Sequence, residues 1–492
     1  LLAGLPGWVP QAHAIPSHAD VPGIAWFEGG VAEAFESARA ANKPVFLYWG
    51  AKWCPPCQQL KSSVFSRADF MEKSKEFVAV YLDGDDPGAQ KWGERFHVSG
   101  YPTVVILRSD QKEIMRIAGG MDLASYADLL DIALSDLKPM SEVVAALRSD
   151  GAPLGHEDCQ RLAYYAWDLA DTGAAERKPI ADDLARAAAA CTTLTPAERA
   201  RLNVSSVTLE ITPDGVTRLI GIVEDPALAP KVADALQDLR EEFFKAVQER
   251  GPAISAAFVA AWTRTMDSAA ADPKVIDADQ LSAIGSELTV LKQFSPQHQV
   301  PEDAAAASRA RVTAVLAKKQ DPYVRAGIVN SASGIYEQLG DTDAEYAMLK
   351  GELTTARSPY YYMVDLGELE EKRGHREAAL AWFERAYVES QGAATRFQWG
   401  TTYVSALLRL APTDHARIRK AALRVIAELD GPDRIQARTR ASLVKLEDRL
   451  HKWDADHRYD ADLKALQVRL AGVCGKLPPS DSGYESCRKF LS

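Results

Sequence analysis

The sequence predicts an α/β domain followed by an all-α array, and three observations carry that reading. Strand and helix signals alternate from residue 24 to residue 138. At Pro139 the text turns Ala-, Leu-, Arg- and Glu-rich with helical periodicity. Farther on, Gly340 and Gly374 stand 34 residues apart, the period of a helix-turn-helix repeat.

Within the first unit, Ile24 to Phe27 is a short apolar run and Val31 to Ala41 has helical spacing. Val45 to Trp49 reads as a buried strand, and the stretch after Cys54 turns helical. Phe77 to Leu82 is a second strand. Thr103 to Leu107 and Glu113 to Ile117 pair around a polar turn at Ser109-Asp110. Met121 to Leu137 closes the unit with a periodic helix.

The rest reads as helices of 10 to 20 residues, with one loosely marked hairpin at Val207 to Val223 around Pro213-Asp214-Gly215. Leu366-Gly367, Gly374, Ala379, Phe383 and Ala386 resemble the tetratricopeptide pattern, in which small residues let two helices approach and Phe fills the gap. The preceding copy keeps Tyr336 and Gly340. The expected divisions are 1–14, 15–138, 139–320 and 321–492, the last two helical and the last tetratricopeptide-like.

Of the 492 residues, 47% are hydrophobic and 25% charged, an ordinary globular mix that excludes wholesale disorder. Lys and Arg total 57 against 68 acidic residues, a net charge of −11. That balance argues against a nucleic-acid partner, since phosphate neutralisation needs surplus cations. No apolar run of about 18 residues offers a membrane insertion. Leu1 to Ala14 begins apolar and ends Ala12-His13-Ala14, the small-x-small pattern of a signal-peptidase site. It is expected to be a signal-peptide remnant, which places the protein in the periplasm or otherwise outside the cytoplasm.

The six cysteines fall into three local pairs, as in an oxidising compartment. Cys159 and Cys191 each lie 12 residues from a turn expected between Asp171 and Pro179, about 18 Å along two antiparallel helices. Cys474 and Cys487 flank a Pro-, Gly- and Ser-rich segment that a bridge would tie to the terminal helix. Buried free thiols are the alternative for both pairs.

The third pair carries chemistry. Trp53-Cys54-Pro55-Pro56-Cys57 stands between a buried strand and a helix. A thiol at a helix N-terminus is favoured as thiolate by the dipole and the free N–H groups. Two prolines remove two of those donors, so the pair should be less oxidising than one that keeps them. The competing readings are an inert bridge and zinc. Zinc needs four ligands, which neither a second close pair nor a Cys/His cluster supplies, so no metal and no cofactor is expected.

With these features the sequence resembles the thioredoxin superfamily over residues 24 to 138. Lys43-Pro44-Val45-Phe46, Val64-Phe65-Ser66 and Gly100-Tyr101-Pro102-Thr103 support the motif. The details are similar to exported thioredoxin-like domains, including the thiol-reductase domain of the membrane electron transporter of the Dsb system. The resemblance implies that Cys54 attacks and Cys57 resolves. It also implies that Pro102 is a cis-proline facing them, and that the Tyr101 backbone pairs with an extended substrate segment. Trp53 would help shape that substrate face, with Pro55 and Pro56 supporting the motif.

There are departures. The buried Asp that many thioredoxins carry six residues before the first cysteine is Tyr48 here, which leaves the general base unassigned; Lys52 reads as solvated. Tyr before Pro102 is similar to the protein disulfide isomerase pattern. Asp83, Asp85 and Asp86 lack the ligand spacing of a calcium loop and read as structural. His97 reads as a surface or packing residue, Tyr360-Tyr361-Tyr362 as repeat packing, and Trp92, Trp167, Trp382 and Trp399 as core. The expected function is an exported disulfide reductase acting on disulfide-containing proteins that the helical region recruits, with a thiol electron donor or acceptor such as a membrane thiol transporter. A net oxidase or isomerase, or a binding scaffold with a minor redox part, are the alternatives.

Overall fold

The computed structural model describes residues 23–118, 123–149, 154–170, 173–431, 434–479, 481 and 483–490. The proposed signal remnant lies outside them. Four strands, β1 (Val45–Gly50), β2 (Val78–Asp83), β3 (Thr103–Leu107) and β4 (Glu113–Ala118), form a sheet in the order β2-β1-β3-β4. β1 and β2 are parallel, and the other two pairings are antiparallel. The expected strand at Ile24 to Phe27 is reduced to a single bridge between Trp26 and Ala79.

Both faces of the sheet are covered, which is why its strands read as continuous apolar runs. On one face Val45, Leu47 and Trp49 meet α1 (Val31–Ala41) and α4 (Pro87–Arg95). On the other, Phe46, Tyr48, Val104 and Ile106 pack on Phe65, Phe70 and the Leu129–Leu130 pair of α5 (Leu123–Ser135). Between the strands lie α2 (Pro55–Leu60), which runs on as one π-type turn over Lys61–Phe65, and α3 (Ala68–Lys73).

The core on this second face continues beyond residue 138 into α6 (Met140–Arg148), α7 (His156–Tyr164), α8 (Gly173–Ala190) and α9 (Pro196–Leu209) through Val143, Leu162, Leu184 and Leu209. There follow α10 (Pro213–Glu224), α11 (Ala233–Leu236), α12 (Glu241–Gln248) and α13 (Pro252–Ala271), centred on Phe243, Phe258 and Trp262. Next come α14 (Asp277–Phe294), α15 (Glu302–Leu316) and α16 (Pro322–Leu339), whose shared core runs across residue 320. The last group is α17 (Thr342–Glu352), α18 (Pro359–Lys372), α19 (Arg376–Glu389), α20 (Ala393–Leu410), α21 (His415–Ala427), α22 (Ala437–Trp453), α23 (Asp460–Cys474) and α24 (Tyr484–Lys489). Gly367 lets α18 approach α19, since a Cβ there would lie 3.0 Å from the Phe383 ring.

Two local expectations are corrected. No hairpin forms at Val207 to Val223. Thr212 accepts from Gly215 N at 3.1 Å and Pro213 opens α10, so Thr-Pro-Asp-Gly starts a helix rather than a turn. Pro179 lies inside α8 rather than in a turn, and α7 stops at Tyr164. Cys159 and Cys191 are therefore not brought level by a turn ending at Pro179. The two are nonetheless bonded, with Cα atoms 5.9 Å apart, and Cys474 is bonded to Cys487.

The array returns to the sheet domain and packs over its motif edge. Gly327 of α16 admits Gln59, whose Nε2 donates to Asp279 of α14 at 2.8 Å. Arg440 of α22 pairs with Glu94 of α4 at 2.5 Å. Most pointedly, the Asp85 carboxylate accepts from Thr395 N at 2.8 Å, in the first turn of the 18-residue α20. Gly392 before that helix has φ +85°, and any Cβ there would collide with Asp85.

Two outcomes are expected. Asp85→Ala strips a buried helix start of its acceptor and should cost about 1–2 kcal/mol in denaturant unfolding. The second concerns Asp365 of α18, half-buried near Glu368, Glu345 and Glu337. Burial first, and those carboxylates second, push its carboxyl up to about 7. Because the folded state then holds its proton more tightly than the unfolded one, stability should fall as pH rises from about 4 to about 7 and level off above. Asp365→Asn should flatten that slope and stabilise at neutral pH, read as the melting temperature across the range.

Candidate redox site

Cys54 and Cys57 are bonded to each other, with Cα atoms 5.2 Å apart. β1 delivers the chain to Ala51, and Cys54 then serves as the N-cap of α2. Pro55 and Pro56 occupy the first two helical positions, where their preset φ suits a helix start. They also leave Cys57 as the first residue of the helix with an N–H. That N–H donates to Cys54 Sγ at 3.1 Å. A cap side chain ordinarily draws on the second or third helical N–H, so Pro56 has removed one of two possible partners.

Across from the pair, Tyr101-Pro102 is a cis peptide bond. The Tyr101 carbonyl oxygen lies 3.6 Å from Cys54 Sγ, placed to accept from that sulfur when it carries a proton. Tyr48 sits under α2, and its hydroxyl donates to the Cys57 carbonyl at 3.5 Å. Burial first, and the nearby Asp83 second, push the Tyr48 phenol well above its ordinary range, so it stays protonated. Asp83, half-buried at the end of β2, also has its carboxyl raised by burial, an effect that Lys52 and Lys61 oppose. Lys52 is exposed, and its backbone carbonyl accepts from Gln58 and Ser358.

The pair is closed off. Cys54 is 2% exposed and Cys57 0%. Trp53 accounts for much of this, because its indole is held on several sides. Tyr361 of α18 stacks on it at 6.1 Å and 16°, Tyr101 meets it edge-on at 6.3 Å, and the Arg438 guanidinium of α22 lies 5.0 Å above it. Its Nε1 donates to Asp85 at 3.3 Å. Arg438 also faces the Tyr101 ring at 5.6 Å. Thus Trp53, Tyr101 and Pro102 come together with the cysteines, while Cys159–Cys191 and Cys474–Cys487 belong to helix packing elsewhere.

Sequence reasoning missed the partners supplied by the array. Tyr361 was expected to pack between repeats, but it covers Trp53. The acidic loop divides its work: Asp86 caps α4 through Gly88 N at 2.7 Å and Ala89 N at 3.1 Å, while Asp85 reaches α20. The only advance signal was an unusual run of aromatic residues opposite an unusual run of carboxylates. Among the described residues no cluster of three or more His, Cys, Asp or Glu could hold a metal, and no helix is long and apolar enough to cross a membrane.

A family model described as a thioredoxin-like domain matches residues 31–133. Thioredoxin H2 of Arabidopsis thaliana is 33% identical over 86 residues, which are 17% of this chain and 59% of that protein's length. A thioredoxin from Thermus thermophilus solved in solution is 28% identical, covering 22% of this chain and 85% of its own, at a TM-score of 0.21. With its four-stranded sheet, cis Tyr101-Pro102 and Cys54–Cys57 pair at the start of α2, the segment 31–133 is a thioredoxin-like domain, followed in this chain by a mostly helical region.

Proposed function

We propose that the chain is a thiol–disulfide oxidoreductase working as a disulfide reductase, with its helical array selecting what reaches Cys54. The observation that carries this reading is the cysteine pair itself, set at a helix start with one N–H aimed at Cys54 Sγ. In the reduced enzyme the Cys54 thiolate attacks a substrate disulfide. A mixed disulfide forms, and the first substrate sulfur leaves as a thiolate that takes up a proton. Cys57 then loses its proton and attacks Cys54 Sγ, so the Cys54–Cys57 bond forms and the second substrate thiolate departs. Two electrons pass to the substrate, and an external dithiol restores the pair. The half-buried Asp83 carboxylate is the better candidate than Tyr48 to take the Cys57 proton, since burial keeps the Tyr48 phenol protonated and raises the Asp83 carboxyl. Two further disulfides remote from the site favour an exported, oxidising setting. The substrates are disulfides of protein origin, and the donor is a thiol protein such as a membrane thiol transporter.

Reduction of a small uncharged disulfide by dithiothreitol should be accelerated by the full chain, and Cys54→Ser should return it to the uncatalysed rate. Cys57→Ala should accumulate the mixed disulfide at Cys54, visible by mass spectrometry. A measured potential near about −270 mV fits a reductase, whereas one near about −120 mV would make the enzyme an oxidant.

Restoring the missing donor gives a separate expectation. Pro56→Ala returns an N–H to the second position of α2, where it can reach Cys54 Sγ. One more hydrogen bond to the charged form should lower the Cys54 pKa by about one unit and make the pair more oxidising. Thiolate absorbance followed against pH in the reduced protein measures it.

A further inference from the structure

Arg438 of α22 is a cation that the array brings to the face of the redox pair. Its guanidinium lies 5.0 Å from the centre of the Trp53 ring and 5.6 Å from that of Tyr101. Trp53 precedes Cys54 in the chain, and the Tyr101 carbonyl oxygen lies 3.6 Å from Cys54 Sγ. Arg438 thus packs on both residues that border the attacking sulfur.

Its donors are only partly spent. Nη2 donates to Gln398 of α20, whereas Nη1 is buried with no hydrogen-bond partner among the described residues. Leaving a buried donor unpaired costs about 1–3 kcal/mol, and more when it is charged. Asp85 is near enough to feel this charge, but its two oxygens are taken by Trp53 Nε1 and Thr395 N. An anion that forms only in the reduced enzyme would give the guanidinium its use.

The other charges near the pair are mixed in sign. Asp83 and Asp85 at the end of β2 share one cavity wall with Lys52, Lys61 and Arg357. The Tyr48 and Tyr101 phenols are pushed up by burial and stay neutral. At Tyr101 the pull of Arg438 is the first influence opposing burial, ahead of the push from Asp85. Cys54 itself receives the Cys57 N–H, while Pro55 and Pro56 have none to give.

We propose that Arg438 supplies from the array the positive charge that the two prolines withhold, and so holds Cys54 as a thiolate in the reduced enzyme. This rests on the oxidoreductase reading above and deepens it. Arg438 takes no part in the bond changes already given and is a positioning residue. The oxidised pair carries no charge, so the stabilisation appears only on reduction and makes the pair more oxidising than its motif alone would be.

The test follows alkylation of Cys54 by iodoacetamide against pH in the reduced full chain, with the modified residue read by mass mapping. Arg438→Gln should raise the Cys54 pKa by about one unit, a tenfold loss of thiolate at any pH below both values. The potential of the pair should fall by about 30 mV at pH above both values and stay unchanged below them. Arg438→Lys keeps the charge and should recover most of the shift. Arg440→Gln, which breaks the pair with Glu94 between array and sheet domain, should leave the pKa in place. Gln398→Glu sets a carboxylate on the same guanidinium; it should raise the pKa too, and it replaces Arg438→Gln if that variant does not fold. An unmoved pKa in the variant used would overturn the proposal. An equal shift in Arg440→Gln, or no recovery in Arg438→Lys, would overturn it by assigning the effect to packing. No acceleration of hydroxyethyl disulfide reduction by the unaltered chain would instead remove the oxidoreductase reading, with the pKa shift still deciding the role of Arg438.

Discussion

The Asp85 carboxylate joins the two halves of this molecule at the point that matters most. One oxygen receives the Trp53 indole N–H, and the other receives a backbone N–H from the first turn of α20. The side chain beside the redox pair and the start of a helix more than 300 residues away are thereby held by one group. Burying a carboxylate is costly, and burial indeed raises the Asp85 carboxyl. The cost is offset by the two donors, by the positive end of the α20 dipole and by the nearby Arg438 charge. Gly392 is the matching concession on the other side, since no side chain fits there.

From that contact follows the closed character of the site. Once α20 is seated, α18 presents Tyr361 to one face of the Trp53 ring and α22 presents Arg438 to it, so the array encloses the motif rather than hanging from the domain as a separate surface. Each aromatic or cation–π contact is worth only about 0.5–2 kcal/mol. Together with the apolar core that passes without a break from the sheet into α7 to α9, they make the array part of the domain's own packing. Enclosure also changes the chemistry available, because electrostatic effects on a thiolate are stronger where water is excluded.

Much of the domain was legible because its signals are local. β1 is buried on both faces and reads as an unbroken apolar run, and Cys-Pro-Pro-Cys must begin a helix, since two prolines are tolerated only in its first turn. Gly367 and Phe383 were likewise readable as a helix pair from their spacing. Misreadings came where one string serves two local structures. Thr212-Pro213-Asp214-Gly215 satisfies both a turn and a capped helix, and the apolar residues of α9 and α10 needed helical neighbours to decide it. Pro179 looked like a boundary and is absorbed within α8, whose packing outweighs the lost backbone hydrogen bond.

The sequence by itself determined the thioredoxin-like segment, the N-cap position of Cys54, the loss of two helix-start donors to Pro55 and Pro56, and the local pairing of cysteines. All of these depend on residues within a few positions of one another, or on a pattern of burial within a single element. Only the tertiary structure decided that Tyr361 and Arg438 flank Trp53, that Thr395 donates to Asp85, and that a cavity opens beside Trp53 and Pro55. The physical reason is separation along the chain. A hydrogen bond between Asp85 and Thr395 leaves no trace in the periodicity of either segment, because periodicity records which face is buried and not what buries it.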